Sequence, residues 1–347
     1  MTSGAGPGPL ATGTEAGRAA RLHGRRDLRL GSAGRPVPGD GQVLLRIRAV
    51  GICGSDLHWY DEGSIGDTPL GAPLVLGHEF SAVIESGPRA GERVAVDPAD
   101  TCERCDLCRT GLGRLCSGIR FAGLAPDDGA LQTWLAWPES GCIPIPDTIS
   151  DEEATLLEVA GIALHAADLA HLQPGMTAGV YGAGPIGLML IRVLRALGAG
   201  RIVATDRLPH RVAAALASGA TEAHQVPDGA PDPAASSGVD VAFECSGTDA
   251  ALDTALRAIR PAGTVLLVGI PSASRASFPA SPARRKEVTL QLVRRMEGTD
   301  LPRAIAMVAE GALRLDGLVT DRFPLDEVAP AFEHAVVRRG LKTVVLL

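Results

Sequence analysis

A glycine-rich turn between a strand and a helix constrains this chain more than any other feature. Val180-Tyr181 runs into Gly182-Ala183-Gly184-Pro185-Ile186-Gly187, and a helical period continues to Leu197. Glycines at these positions permit a tight turn and let backbone approach a pyrophosphate, whose charge then sits at the helix N-terminus. Such a turn belongs in a βαβ unit, and the flanking sequence supplies one. Strand-like runs at 176–181, 201–206, 239–246, 263–270 and 288–293 alternate with helical periods at 185–197, 211–218 and 249–259. This alternation predicts an α/β domain with a doubly wound parallel sheet. One or two helices over 152–172 precede it. Helical periods at 301–310 and 326–337 and an apolar run at 343–347 follow it, and the Pro/Ala/Ser-rich stretch 227–238 reads as a surface loop.

An acidic residue is expected about 20 residues beyond the turn, at the end of the second strand, to accept hydrogen bonds from the adenosine ribose. Asp206 stands there. Its carboxylate repels a 2′-phosphate and favours NAD over NADP, while neighbouring Arg207 pulls the other way. The expected cofactor contacts are Gly182, Gly184, Pro185, Ile186, Gly187, Asp206, Arg207 and Arg211.

Before residue 151 the texture differs. A strand at 42–50 is followed, to about 146, by short apolar runs broken by Gly and Pro, the pattern of a β-rich, loop-rich domain. Residues 1–17, almost all small, read as a flexible tail. With 347 residues in total, two domains are expected. A net charge of −7 and 3% aromatic residues argue against a nucleic-acid partner. The sequence shows neither an 18-residue apolar run nor an export signal, so a cytoplasmic location without a membrane partner is expected.

The seven cysteines divide unevenly. Cys102, Cys105, Cys108 and Cys116 follow a C-x2-C-x2-C-x7-C spacing, which lets one lobe wrap four thiolates around a tetrahedral ion. Four sulfur ligands without an open position describe structural zinc. An iron–sulfur cluster is the competing reading, but no Pro follows the fourth Cys and no electron-transfer context accompanies it. A second set is scattered: Cys53, His78 and Glu79 could hold zinc and leave one position open. Taken alone, a Cys and a His so far apart are more often core residues. The odd cysteine count argues against a disulfide framework, and Cys142 and Cys245 read as buried thiols.

With these motifs in view, the chain from about residue 19 to 347 resembles the zinc-dependent medium-chain dehydrogenases, and most closely their sorbitol (polyol) dehydrogenase branch. The resemblance rests on Gly51-Ile52-Cys53-Gly54-Ser55-Asp56-Leu57-His58, Gly77-His78-Glu79, the four-cysteine lobe and the Gly182–Gly187 turn. Phe121 with Asp127-Asp128-Gly129, and Asp151-Glu152-Glu153 leading to Leu157-Glu158, support it. It implies a GroES-like catalytic domain formed by 18–156 and 295–347, and a Rossmann domain over 157–294. It implies two zinc ions per chain: one structural, and one catalytic held by Cys53, His78, Glu79 and Glu158. Val159-Ala160 follow Glu158 where the family usually has Pro and Leu, and Ala82 replaces a usual Gly.

The implied chemistry is hydride transfer between a secondary alcohol of a polyol, sugar acid or cyclitol and NAD. Zinc would lower the alcohol's pKa, Ser55 would accept its proton, and His58 would relay that proton outwards. Ser55 could equally cap the helix after Cys53, and Asp56 could orient a metal ligand or simply place charge at that helix end. Trp59, Phe121 and Arg294 match substrate-side positions; Trp59 and Phe121 could equally be plain core. Arg295 stands where an aromatic normally follows, and paired guanidinium groups would suit a carboxylate or phosphate. The rival reading has one Arg facing solvent or a subunit interface. A simple-alcohol or L-threonine 3-dehydrogenase of the same family is the alternative activity, and a homodimer or homotetramer is the implied assembly.

Overall fold

The computed structural model describes residues 16–272 and 275–347. The expected N-terminal tail lies, for residues 1–15, outside the described residues. Gly17 is already structured: it opens the strand Gly17–Leu22, and a Cβ there would strike the Trp134 ring.

Gln42–Gly51 is the spine of the first half. It pairs antiparallel with Trp134–Pro138 on one flank and with Glu79–Ile84 on the other. Arg93–Val96 and Cys142–Pro144 extend the sheet beyond Glu79–Ile84. Lys342–Leu346 also pairs antiparallel with Gln42–Gly51, placing Val344 opposite Gly51, and brings Val319–Pro324 with it as an edge strand. Both faces of the Glu79–Ile84 strand are largely covered, so Glu79 and Ser81 are buried together with Phe80 and Ala82. Trp59, Tyr60, Phe80, Trp137 and Phe332 fill the core of this half.

The second half is a six-stranded parallel sheet. In spatial order its strands are Glu222–Gln225, Arg201–Asp206, Thr177–Tyr181, Val239–Glu244, Ile259–Leu267 and Thr289–Leu292. Helices Pro185–Ala196, Pro209–Ala217 and Asp249–Ala258 connect them. Parallel strands covered on both faces need apolar side chains throughout, and Ile202-Val203-Ala204 and Val241-Ala242-Phe243 provide them. The order reverses direction beside Thr177–Tyr181, and ligands bind at that switch point in open α/β sheets. The expected pairing of a β-rich domain with a Rossmann-type parallel sheet is therefore what the chain forms.

Differences from the sequence reading are local. Glu222–Gln225 and Val319–Pro324 are strands whose polar composition concealed them. The Ala280–Lys286 helix was likewise not anticipated. Within the expected loop 227–238, Asp232 caps a single turn, Pro233–Ser236, and seals Ala234 inside. Among the described residues no helix is long and apolar enough to cross a membrane.

Candidate active site

Strand pairing assembles the first site. Gly51 lies opposite Glu79 in the antiparallel register, so Cys53, just beyond one strand end, meets His78 and Glu79 at the start of the other. The Cys53, His78 and Glu79 ligand atoms lie within 4.8 Å of one another. Cys53 adopts extended backbone as the N-cap of helix Gly54–Glu62, and Asp56 Oδ2 accepts the Cys53 N–H at 3.0 Å. Cys53 and Asp56, not Ser55, therefore form this cap. The other Asp56 oxygen accepts the Gly77 N–H and lies 3.5 Å from His78 Nδ1. That contact turns His78 Nε2 towards the cluster, where Ser55 Oγ lies 3.3 Å away. His78 is supported from behind by hydrogen bonds from Gly129 N–H to the Val75 carbonyl and from Ala130 N–H to the Gly77 carbonyl. Asp128, next to Gly129, accepts the Val75 N–H at 3.0 Å.

Two carboxylates flank the cluster and differ in their partners. Glu79 is paired with the Lys342 ammonium, with both side chains buried. Glu158, in the first turn of helix Leu156–Leu169, is 5% exposed, and its Oε2 has no hydrogen-bond partner. Burial, opposed by His78 and reinforced by Glu79, pushes the Glu158 carboxyl up to about 8. A buried carboxyl oxygen with no partner, near the His78 imidazole and Glu79 but outside the group whose ligand atoms lie within 4.8 Å, is one that a cation would satisfy. The donor set of one sulfur, one nitrogen and carboxylate oxygen fits zinc.

His58 lies three residues after Ser55 on the same helix, and its Nδ1 meets Glu62 Oε1 at 2.9 Å. Ser55 thus contacts the donor cluster through His78, while His58 is held by a neighbour one turn further on.

The Cys102, Cys105, Cys108 and Cys116 sulfurs also lie within 4.8 Å of one another. A tetrahedron with zinc–sulfur bonds of about 2.3 Å has edges of about 3.8 Å. Cys105 and Cys116 sulfurs are 3.8 Å apart, Cys102 and Cys108 3.9 Å, and Cys105 and Cys108 3.4 Å. Backbone N–H groups of Arg104 and Cys105 hold the Cys102 thiol down at about 6, the direction that favours a thiolate ligand. The remaining cysteines, Cys142 and Cys245, are buried free thiols whose pKa values burial raises.

At the glycine turn, Gly182 has φ +105°, and a Cβ there would meet the Ser246 backbone at 2.9 Å. A Cβ on Gly187 would overlap the Gly182 carbonyl oxygen, so helix and turn pack without space for any side chain. Gly184 caps the helix and Pro185 occupies its first turn, where a missing N–H costs nothing. Asp206 closes its strand and accepts hydrogen bonds from the Ala183 and Leu208 N–H groups. Arg207 turns outwards to Asp228. Arg211 reaches back over Gly184; burial lowers its pKa, and its Nε has no partner.

The substrate-side residues separate. Trp59 is 2% exposed and belongs to the core. Phe121 packs against His78 with ring centroids 5.4 Å apart. Arg295 lays its guanidinium carbon 4.8 Å from the centre of the Phe121 ring, whereas Arg294 is exposed.

Lys342 is the site residue that sequence reasoning missed, and a signal for it exists. The chain contains 33 basic residues but only two lysines, Lys286 and Lys342. Lys286 donates to the carbonyls of Leu256, Arg257 and Ile259, capping the end of helix Asp249–Ala258. Lys342 is sealed against Glu79. A chain that otherwise uses Arg keeps its compact ammonium groups at these two enclosed positions.

Residues 39–147 match the alcohol dehydrogenase GroES-like domain and residues 185–310 the zinc-binding dehydrogenase domain. The chain is 36% identical to sorbitol dehydrogenase of Bacillus subtilis over 330 residues, covering 92% of this chain and 93% of that one. It is 34% identical to a probable D-xylulose reductase A of Neosartorya fischeri over 329 residues, 90% and 92% of the two chains. Its fold superimposes on L-idonate 5-dehydrogenase of Escherichia coli with a TM-score of 0.88 at 27% identity, covering 96% and 98%. Sequence, sheet order and the two donor clusters agree: the chain belongs to the zinc-dependent medium-chain dehydrogenases, in their sorbitol dehydrogenase-like branch.

Proposed function

We propose that this protein oxidises a secondary alcohol of a polyol or sugar acid with NAD. The convergence of Cys53, His78 and Glu79 beside the unpartnered oxygen of Glu158 carries the reading. When bound, zinc supplies Lewis acidity that lowers the alcohol's pKa, and nicotinamide supplies the hydride acceptor. Cys53 and His78 are the ligands held most firmly, one by the helix cap and one by Asp56. Glu79 completes the set in the Lys342 pair, and Glu158 reaches the metal or a water beside it.

Ser55 Oγ accepts the alcohol proton. His58, three residues further along the same helix face, carries it outwards while Glu62 fixes its ring. Gly182, Gly184 and Gly187 admit the pyrophosphate, and Arg211 over Gly184 supplies a cation to it. Asp206 holds the turn through Ala183 and supports NAD over NADP by its charge. Cys102, Cys105, Cys108 and Cys116 hold the second zinc.

We place the protein in the cytoplasm as a homodimer or homotetramer. Exposed Leu292, Ile270 and Phe278, on and beside the outer Thr289–Leu292 strand, support association through that edge.

The test is NAD reduction across polyols, sugar acids, cyclitols, simple alcohols and L-threonine, with zinc content measured on the same preparation. Turnover of a polyol or sugar acid that Cys53→Ala abolishes is the expected result. Activity confined to simple alcohols or L-threonine would overturn the substrate class.

A further inference from the structure

Arg295 lies in an unusual setting for an arginine. Its backbone has φ +57°, in the left-handed region that a long side chain seldom adopts. The surroundings impose this conformation. Next along the chain, buried Met296 fills the space left by the missing Cβ of Gly161, one turn beyond Glu158 on helix Leu156–Leu169. Glu297 then pairs with Arg114 of the four-cysteine lobe. Held by these two following residues, the segment directs the Arg295 guanidinium onto the Phe121 ring.

The guanidinium is left under-used. Among the described residues its one hydrogen bond is a 3.4 Å contact from Nη1 to the Arg114 carbonyl. Among the described residues no carboxylate oxygen lies within 4 Å of it, although the chain pairs most of its buried or half-buried arginines. Four of the five guanidinium N–H donors on this half-buried cation are therefore available. The same Phe121 ring contacts Arg295 and His78, so the guanidinium is separated from the zinc-site imidazole by no more than those two contacts laid end to end. A sugar chain spans such a gap. Burial and neighbouring Arg294, opposed by the Asp97 carboxylate beyond ion-pair distance, bring the Arg295 pKa down to about 10, which leaves it charged at neutral pH.

We infer that Arg295 receives the carboxylate of a sugar acid whose reacting alcohol sits at the Cys53–His78 cluster, making aldonates rather than neutral alditols the preferred substrates. The inference rests on the dehydrogenase reading above. A planar, forked donor matches a carboxylate through paired hydrogen bonds, and a neutral hydroxymethyl group in its place would leave the cation unmet. Substrate selection thus rests on a guanidinium that the zinc lobe and Gly161 hold in place.

Steady-state kinetics with D-gluconate and L-idonate against D-sorbitol and L-iditol test this directly. The wild type is expected to favour at least one aldonate over its matching alditol in kcat/KM. Arg295→Ala should lower that ratio on the order of 10- to 100-fold, through the aldonate KM more than kcat. Arg295→Lys should recover part of the ratio, since a point charge remains without the fork. NADH binding and zinc content show whether each variant is folded. Equal losses on both substrate classes, or a wild type that prefers alditols, overturn the inference while leaving the dehydrogenase reading intact. The second result needs no variant. A wild type that reduces NAD with neither class overturns both.

Discussion

The Lys342 ammonium rests against the Glu79 carboxylate with both side chains sealed from water, at 1% and 2% exposure. The pair closes over Gly51, where a Cβ would sit 2.5 Å from Glu79 Oε2 and 2.8 Å from Lys342 Cε. Breaking one side of a buried pair strands the other charge, at a cost of about 3–5 kcal/mol. Lys342→Met should lower unfolding free energy by about that amount in urea titrations of the zinc-free protein, where no metal supplies Glu79 with a second counter-charge. Lys342→Arg should not restore it, because Gly51 leaves no room for a wider group. A loss below about 1 kcal/mol would show that Glu79 has another counter-charge.

His165 predicts an acid-sensitive term. It is 5% exposed on helix Leu156–Leu169, its Nε2 has no partner, and burial followed by Arg114 brings its pKa down to about 4. Unfolded, the imidazole titrates near its ordinary value of about 6.5, so acidification protonates the unfolded chain first and stability falls between those two values. From pH 7 to 5 the term is worth about 2 kcal/mol. Asp300, 3.8 Å away and raised to about 6 chiefly by burial, works in the opposite direction. Asp168 and Arg303 complete the charged surroundings. The readout is therefore the difference between wild type and His165→Leu. The variant should lose less stability on acidification, and parallel pH curves would exclude the term.

Metal analysis should separate the two zinc sites. The expected content is two zinc ions per chain. Cys108→Ser should lose one of them together with several degrees of thermal stability, because the lobe has little apolar core of its own. Cys53→Ser should lose the other and all turnover, with little change in melting. One zinc in the wild type would mean that a donor cluster has been misassigned.

The glycine turn makes a steric prediction that zinc does not touch. Gly187→Ala places a methyl group on the Gly182 carbonyl, so NADH affinity measured by fluorescence should fall by at least tenfold with zinc content unchanged. Asp206→Gly should shift the NAD-to-NADP preference towards NADP. An unchanged ratio would show that Arg207 or Arg211 already governs that choice.

What the sequence reveals follows from how local the determining physics is. The glycine turn, the alternating apolar runs and the cysteine spacing are short-range patterns, and each appears in the fold as read. Cys53 and His78 are far apart in sequence and become neighbours through one strand register, so the family resemblance was needed to connect them. The link between Lys342 and Glu79 crosses most of the chain, and nothing local announces it. Glu222–Gln225 and Val319–Pro324 were missed because their strands are polar and partly exposed, and neighbouring strands supply the order that composition does not. The state of the two arginines at 294 and 295 depended on a backbone angle, which no spacing rule supplies.

The pairing of Lys342–Leu346 with Gln42–Gly51 bears on how the protein is made. The first half emerges from the ribosome with only the 49–51 end of its central strand unpaired on one flank, because Trp134–Pro138 already covers residues 42–46, and the partner of that end is synthesised only after the whole parallel sheet has been made. Until then a short hydrogen-bonding edge of the older half stays exposed. The half carrying both donor clusters completes its sheet only with the last residues made, and chaperone binding should concentrate on nascent chains that have completed the parallel sheet but still lack the late strand.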